Sequence, residues 1–283
     1  MHVKSRGLMQ RYFLPIYLLA ILMSNMTWAA GITLHMFMGD TAIDYVKEPG
    51  FKEFLVKHQG AIRNGTIFPD SGYIKKDSYG EFSHWEQFHN GYALYLDQNC
   101  TWPLSSHCED LFGFFLGTLS HAISDVAYHR DFISEVAQHD FNGDYTAAHG
   151  YSDSGIDMLA IFDYYRGTVI PAPYFPIDDL EKIFSFSGNV VAKGELTFYS
   201  KAIYAVLLAE RAGSSFSYLY YKYKGPWASA NYYTAKGGVL DSAAAIAEIW
   251  DKIWMRLVRD QRFVDIAKLK SKGGFPDVTI FME

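Results

Sequence analysis

The sequence predicts an all-α protein, a multi-helix bundle, on three observations. Apolar residues recur at helical spacing in long stretches, among them 109–133 and 240–259. Proline and glycine divide those stretches, at Pro49-Gly50, at Pro171-Ala172-Pro173 and again at Pro176. Apolar residues make up 49% of the 283 residues and aromatic residues 17%, enough for a sizeable core.

The elements follow in chain order. Lys4, Arg6 and Arg11 precede an apolar run from Tyr12 to Met23, too short for a comfortable membrane span. Thr27-Trp28-Ala29 offers small residues at the −3 and −1 positions of a peptidase site. Residues 1–29 are therefore expected to be a cleaved signal peptide, with an uncleaved signal anchor as the alternative. Residues 30–283 are then a mature catalytic domain that begins at Ala30 and is secreted or periplasmic. Thr41 to Lys47 reads as a short helix, and Phe51 to His58 as a second one after the Pro49-Gly50 break. The stretch from Gly60 to Ser83, rich in Gly, Pro, Asp and Tyr, reads as an ordered loop. Glu109 to Ile133 is a long helix opening on two acids, which suit a helix N-terminus. Asp153 to Arg166 reads as another. Pro176 starts a further helix, with proline in its first turn. Glu195 to Ala212 and Leu240 to Arg259 complete the bundle. From Lys270 on the chain reads as a short strand or a tail.

Charge and cysteine content narrow the function. Loss of residues 1–29 takes three basic residues from 25, which leaves 22 against 31 acidic ones and a net charge of −9. That disfavours a non-specific nucleic-acid binder, which normally shows a basic groove. Bound divalent cations would offset part of this charge. Cys100 and Cys108 are the two cysteines. In an exported chain they favour a disulfide over a pair of zinc thiolates, because their spacing is too wide for a CxxC knuckle. Asn64-Gly65-Thr66 and Asn99-Cys100-Thr101 are glycosylation sequons.

The chemistry lies in a set of histidines and aspartates. His121, Asp125 and His129 stand at i, i+4 and i+8, one stripe on one face of the long helix. Their neighbours Phe114, Phe115, Leu116, Leu119, Ile123 and Val126 are apolar, so the stripe is expected to be buried. Buried imidazoles and carboxylates need partners for every polar atom, and a zinc ion supplies them. His149 and Asp153 form a second i, i+4 pair. With His129 they would make a three-ligand site whose fourth position is open, the catalytic rather than the structural pattern. Asp70, in Phe68-Pro69-Asp70, and His84, in Ser83-His84-Trp85, come from the segment read as a loop. His35 falls six positions into the mature chain, where the free α-amino group of Ala30 lies close in sequence. Each residue alone has a plainer reading: a core histidine, a turn after proline, a surface pair. His58, His89, His107 and His139 lack a comparable setting and are read as structural or surface residues.

These residues resemble the zinc-dependent phospholipase C superfamily, which also includes single-strand-specific zinc nucleases. Within it the chain is similar to the catalytic domain of the glycosylphosphatidylinositol-specific phospholipase D branch. The likeness is carried by Leu34-His35, His58-Gln59-Gly60-Ala61, Gly65 through Asp70, Ser83-His84-Trp85, Leu116-Gly117 and Ser120 through His129. It continues in Asp140-Phe141, Tyr145 through His149, and Asp153. Weaker likeness follows at Pro176 through Leu180 and Gly237 through Asp241, so that it spans about residues 30–260. The resemblance implies a mainly helical fold around a trinuclear zinc site. Asp70, His84, His121 and Asp125 would hold one ion. Ala30, through its amine and carbonyl, His35 and a bridging Asp125 would hold the ion beside it. His129, His149 and Asp153 would hold the third.

Three departures stand out. Many members place five residues between the helical aspartate and the next histidine; this chain has three, as the phospholipase D-like branch does. Larger members of that branch add a β-propeller, which a chain of this length is expected to lack. Some members begin with tryptophan or cysteine where this chain would begin with alanine, a change that a backbone ligand tolerates.

The implied activity is hydrolysis of a phospholipid or glycolipid phosphodiester by a metal-activated water. Asp70 would orient the nucleophile or accept its proton, and peripheral membrane contact would follow from such a substrate. Aromatic residues Phe68, Tyr73, Trp85, Tyr92 and Tyr95 read as core, or else as an apolar wall for acyl chains. Two other readings remain: an exported nuclease or 3′-nucleotidase using the same zinc cluster, and a zinc-holding protein with no enzymatic activity.

Overall fold

The computed structural model describes residues 31–75, 78–164 and 170–263. The expected signal peptide, Ala30 and the stretch from Lys270 on lie outside them. Among the described residues the regular elements are all helical, as predicted. They are α1 (Ile32–Tyr45), α2 (Pro49–Lys57), α3 (Gln59–Ser71), a 3₁₀ turn (Gly72–Ile74), α4 (Gly80–Ser83), α5 (Glu86–Asn99) and α6 (Ser106–Ala127). A π-helical turn (Tyr128–Phe132) leads into α7 (Ile133–Asp140), α8 (Tyr145–Asp163), α9 (Ile177–Phe186), α10 (Lys193–Lys224), α11 (Pro226–Asn231) and α12 (Val239–Asp260).

Helix α6 is the axis of the bundle. The Ser105 hydroxyl caps it by accepting the Cys108 amide. Every residue from Leu111 to Ser124 is buried, so this helix has no solvent face. It packs on α1, α3, α5 and α12, and the Trp250 indole of α12 donates to the Leu116 carbonyl at 3.1 Å. Cys100 and Cys108 are disulfide-bonded with Cα atoms 5.7 Å apart, joining the end of α5 to the first turn of α6.

Helix α12 lies within one residue of its predicted limits at each end. Five predicted segments differ from the structure. Helix α1 starts at Ile32 rather than Thr41 because its cap comes from far away in sequence: the Asp157 carboxylate accepts the Thr33 and Leu34 amides at 3.2 and 2.7 Å. The segment read as a loop from Gly60 is helical to Ser71, with Pro69 accommodated in its last turns. Helix α8 begins at Tyr145, capped by Asp144, so His149 and Asp153 both lie inside it. Helix α10 runs to Lys224, twelve residues beyond the expected end at Ala212. Helices α4, α5, α7 and α11 have no counterpart among the elements predicted from sequence, and the long helix expected to Ile133 gives way to the π turn after Ala127.

Helix α3 is helical despite its glycines because tertiary packing uses one of them. A Cβ on Gly65 would sit 2.1 Å from the Phe114 carbonyl oxygen, and one on Gly117 would sit 2.1 Å from that of Ile62. The two bare backbones therefore let α3 and α6 approach closely. That approach brings the Thr66 carbonyl within 2.7 Å of His121 Nδ1. Gly117→Ala is expected to cost about 1–3 kcal/mol by overpacking. This should lower the melting temperature by roughly 5–10 °C and weaken zinc retention. Thermal melts with metal analysis test it, and an unchanged melt would show that the crossing can relax.

The Asn64 sequon is not a glycan site in the folded chain. Its side chain is fully buried and donates to the Gly60 and Ala172 carbonyls. Asn99 is exposed.

Candidate metal centre

Helix α1 contributes His35, the end of α3 contributes Asp70, and the residue after α4 is His84. Helix α6 contributes His121 and Asp125, the π turn contributes His129, and α8 contributes His149 and Asp153. Three groups of ligand atoms converge, each group within 4.8 Å: His35, His121 and Asp125; Asp70, His84 and His121; His129, His149 and Asp153. The groups are contiguous. Asp125 Oδ1 lies 3.7 Å from His35 Nε2 and 3.6 Å from His129 Nε2. Asp70 Oδ1 lies 3.6 Å from His84 Nε2 and 3.8 Å from His121 Nε2.

Hydrogen bonds behind the site fix the imidazoles. His121 Nδ1–H donates to the Thr66 carbonyl and His84 Nδ1–H to the Gly80 carbonyl, both at 2.7 Å. The Ser124 hydroxyl donates to the Ser120 carbonyl and so accepts His35 Nδ1–H at 2.7 Å. In each neutral ring the Nε2 lone pair is left aimed inward. The Nε2 atoms of His84 and His121 then face each other at 2.8 Å. Two lone pairs at that distance repel unless a cation or a proton lies between them.

Burial makes the same demand. His35, Asp70, His84 and His121 are almost entirely shielded from solvent. His35 Nε2, both oxygens of Asp70, Asp125 Oδ1, His129 Nε2 and Asp153 Oδ1 are buried without a hydrogen-bond partner among the described residues. Leaving such atoms unpaired is costly. Burial pushes the Asp153 carboxyl well above its ordinary range, reinforced by the charges of Asp125, Asp70 and Asp157. Burial likewise pulls His35 down, and pulls His121 well down with help from His35 and His84. Burial also acts to lower His84, but Asp70 and Asp125 outweigh it and raise that ring. An array of inward-facing imidazole nitrogens and unpartnered carboxylate oxygens fits zinc.

The other histidines stay out of this centre. His58 pairs with Asp110 and Glu109, His89 bonds the Trp85 carbonyl, His107 meets Asp179, and His139 stacks on Trp227. Phe68, Tyr92 and Tyr95 are core, while Tyr73 and Trp85 are only partly buried.

Sequence reasoning missed Asp157 and Glu210. Asp157 extends the α8 stripe, His149, Asp153, Asp157 at i, i+4, i+8, the same spacing that marks α6. Its carboxylate fills the space that a side chain at residue 31 would need: a Cβ on Gly31 would lie 1.9 Å from the Asp157 Cγ. Glu210 of α10 accepts the Thr33 hydroxyl at 3.2 Å. Burial pushes both carboxyls up; the charge of Asp157 raises Glu210 further, while the Leu34 and Thr33 amides and Glu210 hold Asp157 back. The pair anchors the first turn of α1 and hence His35. Asp157→Ala is expected to weaken zinc binding by about 10–100-fold, the usual scale for a group that orients a ligand. Zinc titration of the folded variant measures this; unchanged affinity would make Asp157 a helix cap and nothing more.

An all-helical bundle that converges imidazoles and carboxylates in this way has the donor set of a zinc-binding protein. The chain is a member of the zinc-dependent phospholipase C family, whose model matches residues 34–213. It is similar to the phosphatidylinositol-glycan-specific phospholipase D of Rattus norvegicus, 26% identical over 251 residues, which cover 83% of this chain and 30% of that protein. The Bos taurus protein of the same name is 29% identical over 70% of this chain and 26% of its own length. That of Dictyostelium discoideum is 28% identical over 75% of this chain and 24% of its own length. The chain thus spans less than a third of the length of these relatives. No solved structure gives a significant match.

Proposed function

We propose that this protein is an exported zinc-dependent phosphodiesterase that hydrolyses phospholipids or glycosylphosphatidylinositol-type lipids. The observation that carries the reading is the convergence of three contiguous histidine–aspartate groups whose buried ligand atoms lack partners. The names of the relatives supply the lipid class. Export rests on the basic and apolar leader with its small-residue cleavage site. No helix among the described residues is long and apolar enough to cross a membrane.

In this reading three ions are bound. Asp70, His84, His121 and Asp125 hold the first, Ala30, His35 and Asp125 the second, and His129, His149 and Asp153 the third. Zinc would supply Lewis acidity toward phosphoryl oxygens and lower the pKa of bound water toward 7. The chain's own residues do the rest. Thr66, Gly80 and Ser124 keep the rings in one tautomer, so that no ligand has to reorganise during reaction. Asp70 has a carboxylate oxygen to spare for orienting the attacking water. His149 and His129 are the more exposed of the ligands, with side chains 38% and 26% accessible. Their group therefore faces the side from which a substrate enters.

Zinc content and N-terminal sequence of the purified mature protein come first, followed by a substrate panel. About three zinc atoms per chain, an N-terminus at Ala30 and release of a phosphorylated or free head group from phospholipids are expected. The released product decides between C-type and D-type cleavage. Turnover of single-stranded DNA or 3′-nucleotides in place of lipid would reassign the substrate class. Correctly processed protein with little zinc would overturn the site.

A further inference from the structure

Helix α10 carries an apolar face that nothing in the described chain covers. Phe198, Leu208, Phe216, Leu219 and Tyr223 recur at helical spacing with exposed Ala205 and Ala212 between them, and Tyr220 lies beside them. Phe216, Leu219 and Tyr223 are 78%, 76% and 89% exposed. The stripe from Phe198 to Tyr223 is about 37 Å long at the helical rise. Scattered apolar residues on a surface are ordinary; a cluster of large, highly exposed ones such as Phe216, Leu219, Tyr220 and Tyr223 at one end of a helix face is not.

The charges on this helix select the partner. Its two acids are Glu210, which is buried, and Glu195, which is partly buried and accepts the Ser78 hydroxyl. Its exposed charges, Lys193, Lys201, Lys222 and Lys224, are all basic, although the whole chain carries a net charge of −6. Lys193 is neutralised by Asp178. At the C-terminal end tyrosines and lysines interleave: Lys222 lies over the Tyr218 ring at 5.4 Å and Lys224 over that of Tyr220 at 5.7 Å. Amphipathic rings beside long-stemmed cations suit the boundary between acyl chains and head groups. A protein partner would not require that combination.

We infer that the exposed face of α10 is a docking surface for a lipid bilayer with anionic head groups. The helix lies in the interfacial plane, with Phe216, Leu219 and Tyr223 among the acyl chains and Lys201, Lys222 and Lys224 at the phosphate level. The same helix packs on α8, which bears His149 and Asp153: the Tyr151 hydroxyl donates to the Tyr221 carbonyl at 2.9 Å, and the Tyr221 ring lies over Gly155. Docking therefore acts on an element joined directly to the candidate centre. The surface is read from its own residues; only its use, presentation of lipid to that centre, rests on the proposed phosphodiesterase activity.

Flotation of the intact, zinc-replete protein with phosphatidylcholine vesicles, with and without phosphatidylserine, tests the inference. Wild type is expected to float with the anionic vesicles, and less so in high salt. The variant Phe216→Ser/Leu219→Ser/Tyr223→Ser is expected to bind at least about tenfold more weakly, since each side chain loses its apolar burial. Its melting temperature should not change, because all three side chains are exposed. Lys222→Glu/Lys224→Glu should abolish the preference for phosphatidylserine. Wild type that stays with the aqueous phase, or a triple variant that floats as well as wild type, overturns the proposal. So does a wild-type dimer in light scattering that the triple variant renders monomeric, since the face would then belong to a second copy. Hydrolysis of a monomeric short-chain phospholipid, measured in parallel, separates the two readings. Vesicle binding without hydrolysis sinks the enzymatic reading alone, and hydrolysis without vesicle binding sinks the docking surface alone.

Discussion

Asp125→Asn is expected to lower phosphodiesterase activity by about 10³-fold or more. Loss of a single donor that stabilises charge in a transition state costs about 10²–10³-fold, and Asp125 does more than one such donor. Its Oδ1 stands between His35 and His129, at 3.7 and 3.6 Å from their Nε2 atoms, so one carboxylate oxygen adjoins two of the three ligand groups. Asparagine keeps the shape and removes the charge. The variant should fold, since Asp125 lies at the buried site and caps no helix, but it should retain fewer zinc atoms per chain. Kinetics and metal analysis on the same sample test this. A variant with full zinc content and near-normal kcat would show that Asp125 is not a bridging ligand.

Removal of zinc is expected to abolish activity and to lower the melting temperature by about 10 °C. A ligand that binds only the folded state at 1,000 times its Kd contributes about 4 kcal/mol, and a domain of this size loses roughly 2–4 °C per kcal/mol. The cause is local. Asp70 and Asp153 are buried, and both oxygens of Asp70 and Oδ1 of Asp153 lack a hydrogen-bond partner among the described residues. Dialysis against a chelator followed by stoichiometric zinc should lose and then restore both properties. Affinity should also depend on pH. In the metal-free chain burial raises the Asp153 carboxyl well above its ordinary value, so zinc must displace a proton there. Affinity should fall as pH falls through that raised value and recover above it. An unchanged melt after complete removal of zinc would mean that the site is catalytic only and does not stabilise the fold.

Where the signal is local, it is legible. The i, i+4, i+8 stripe of His121, Asp125 and His129 marks one helix face, and the burial of α6 follows from its uninterrupted apolar run. Helix α12 can be bounded to within a residue because its amphipathic pattern and flanking glycines lie within it or beside it. The discrepancies share one cause. Local pattern starts α1 too late because its cap, Asp157, is more than 120 residues away. It makes a loop of α3 because Gly65 and Pro69 disfavour a helix in isolation, whereas here Gly65 is needed for the contact with Gly117. The π turn at Tyr128–Phe132, which sets the direction of His129, has no signature in residue type.

By itself the sequence determined the helical class, the identity of the histidines and aspartates gathered at the centre, and the pairing choice for Cys100 and Cys108. Periodicity, composition and spacing are properties of neighbouring residues, and a short stretch of chain expresses them without help. The tertiary structure alone decided that His35 joins His121 and Asp125, that the Thr66, Gly80 and Ser124 oxygens fix the rings, and that Asp157 and Glu210 underlie α1. It also decided that α10 turns an apolar face outward. Each of these depends on two segments far apart in the chain meeting at a distance of a few ångströms. That distance is set by packing and by close helix crossings, which no local pattern of residues encodes.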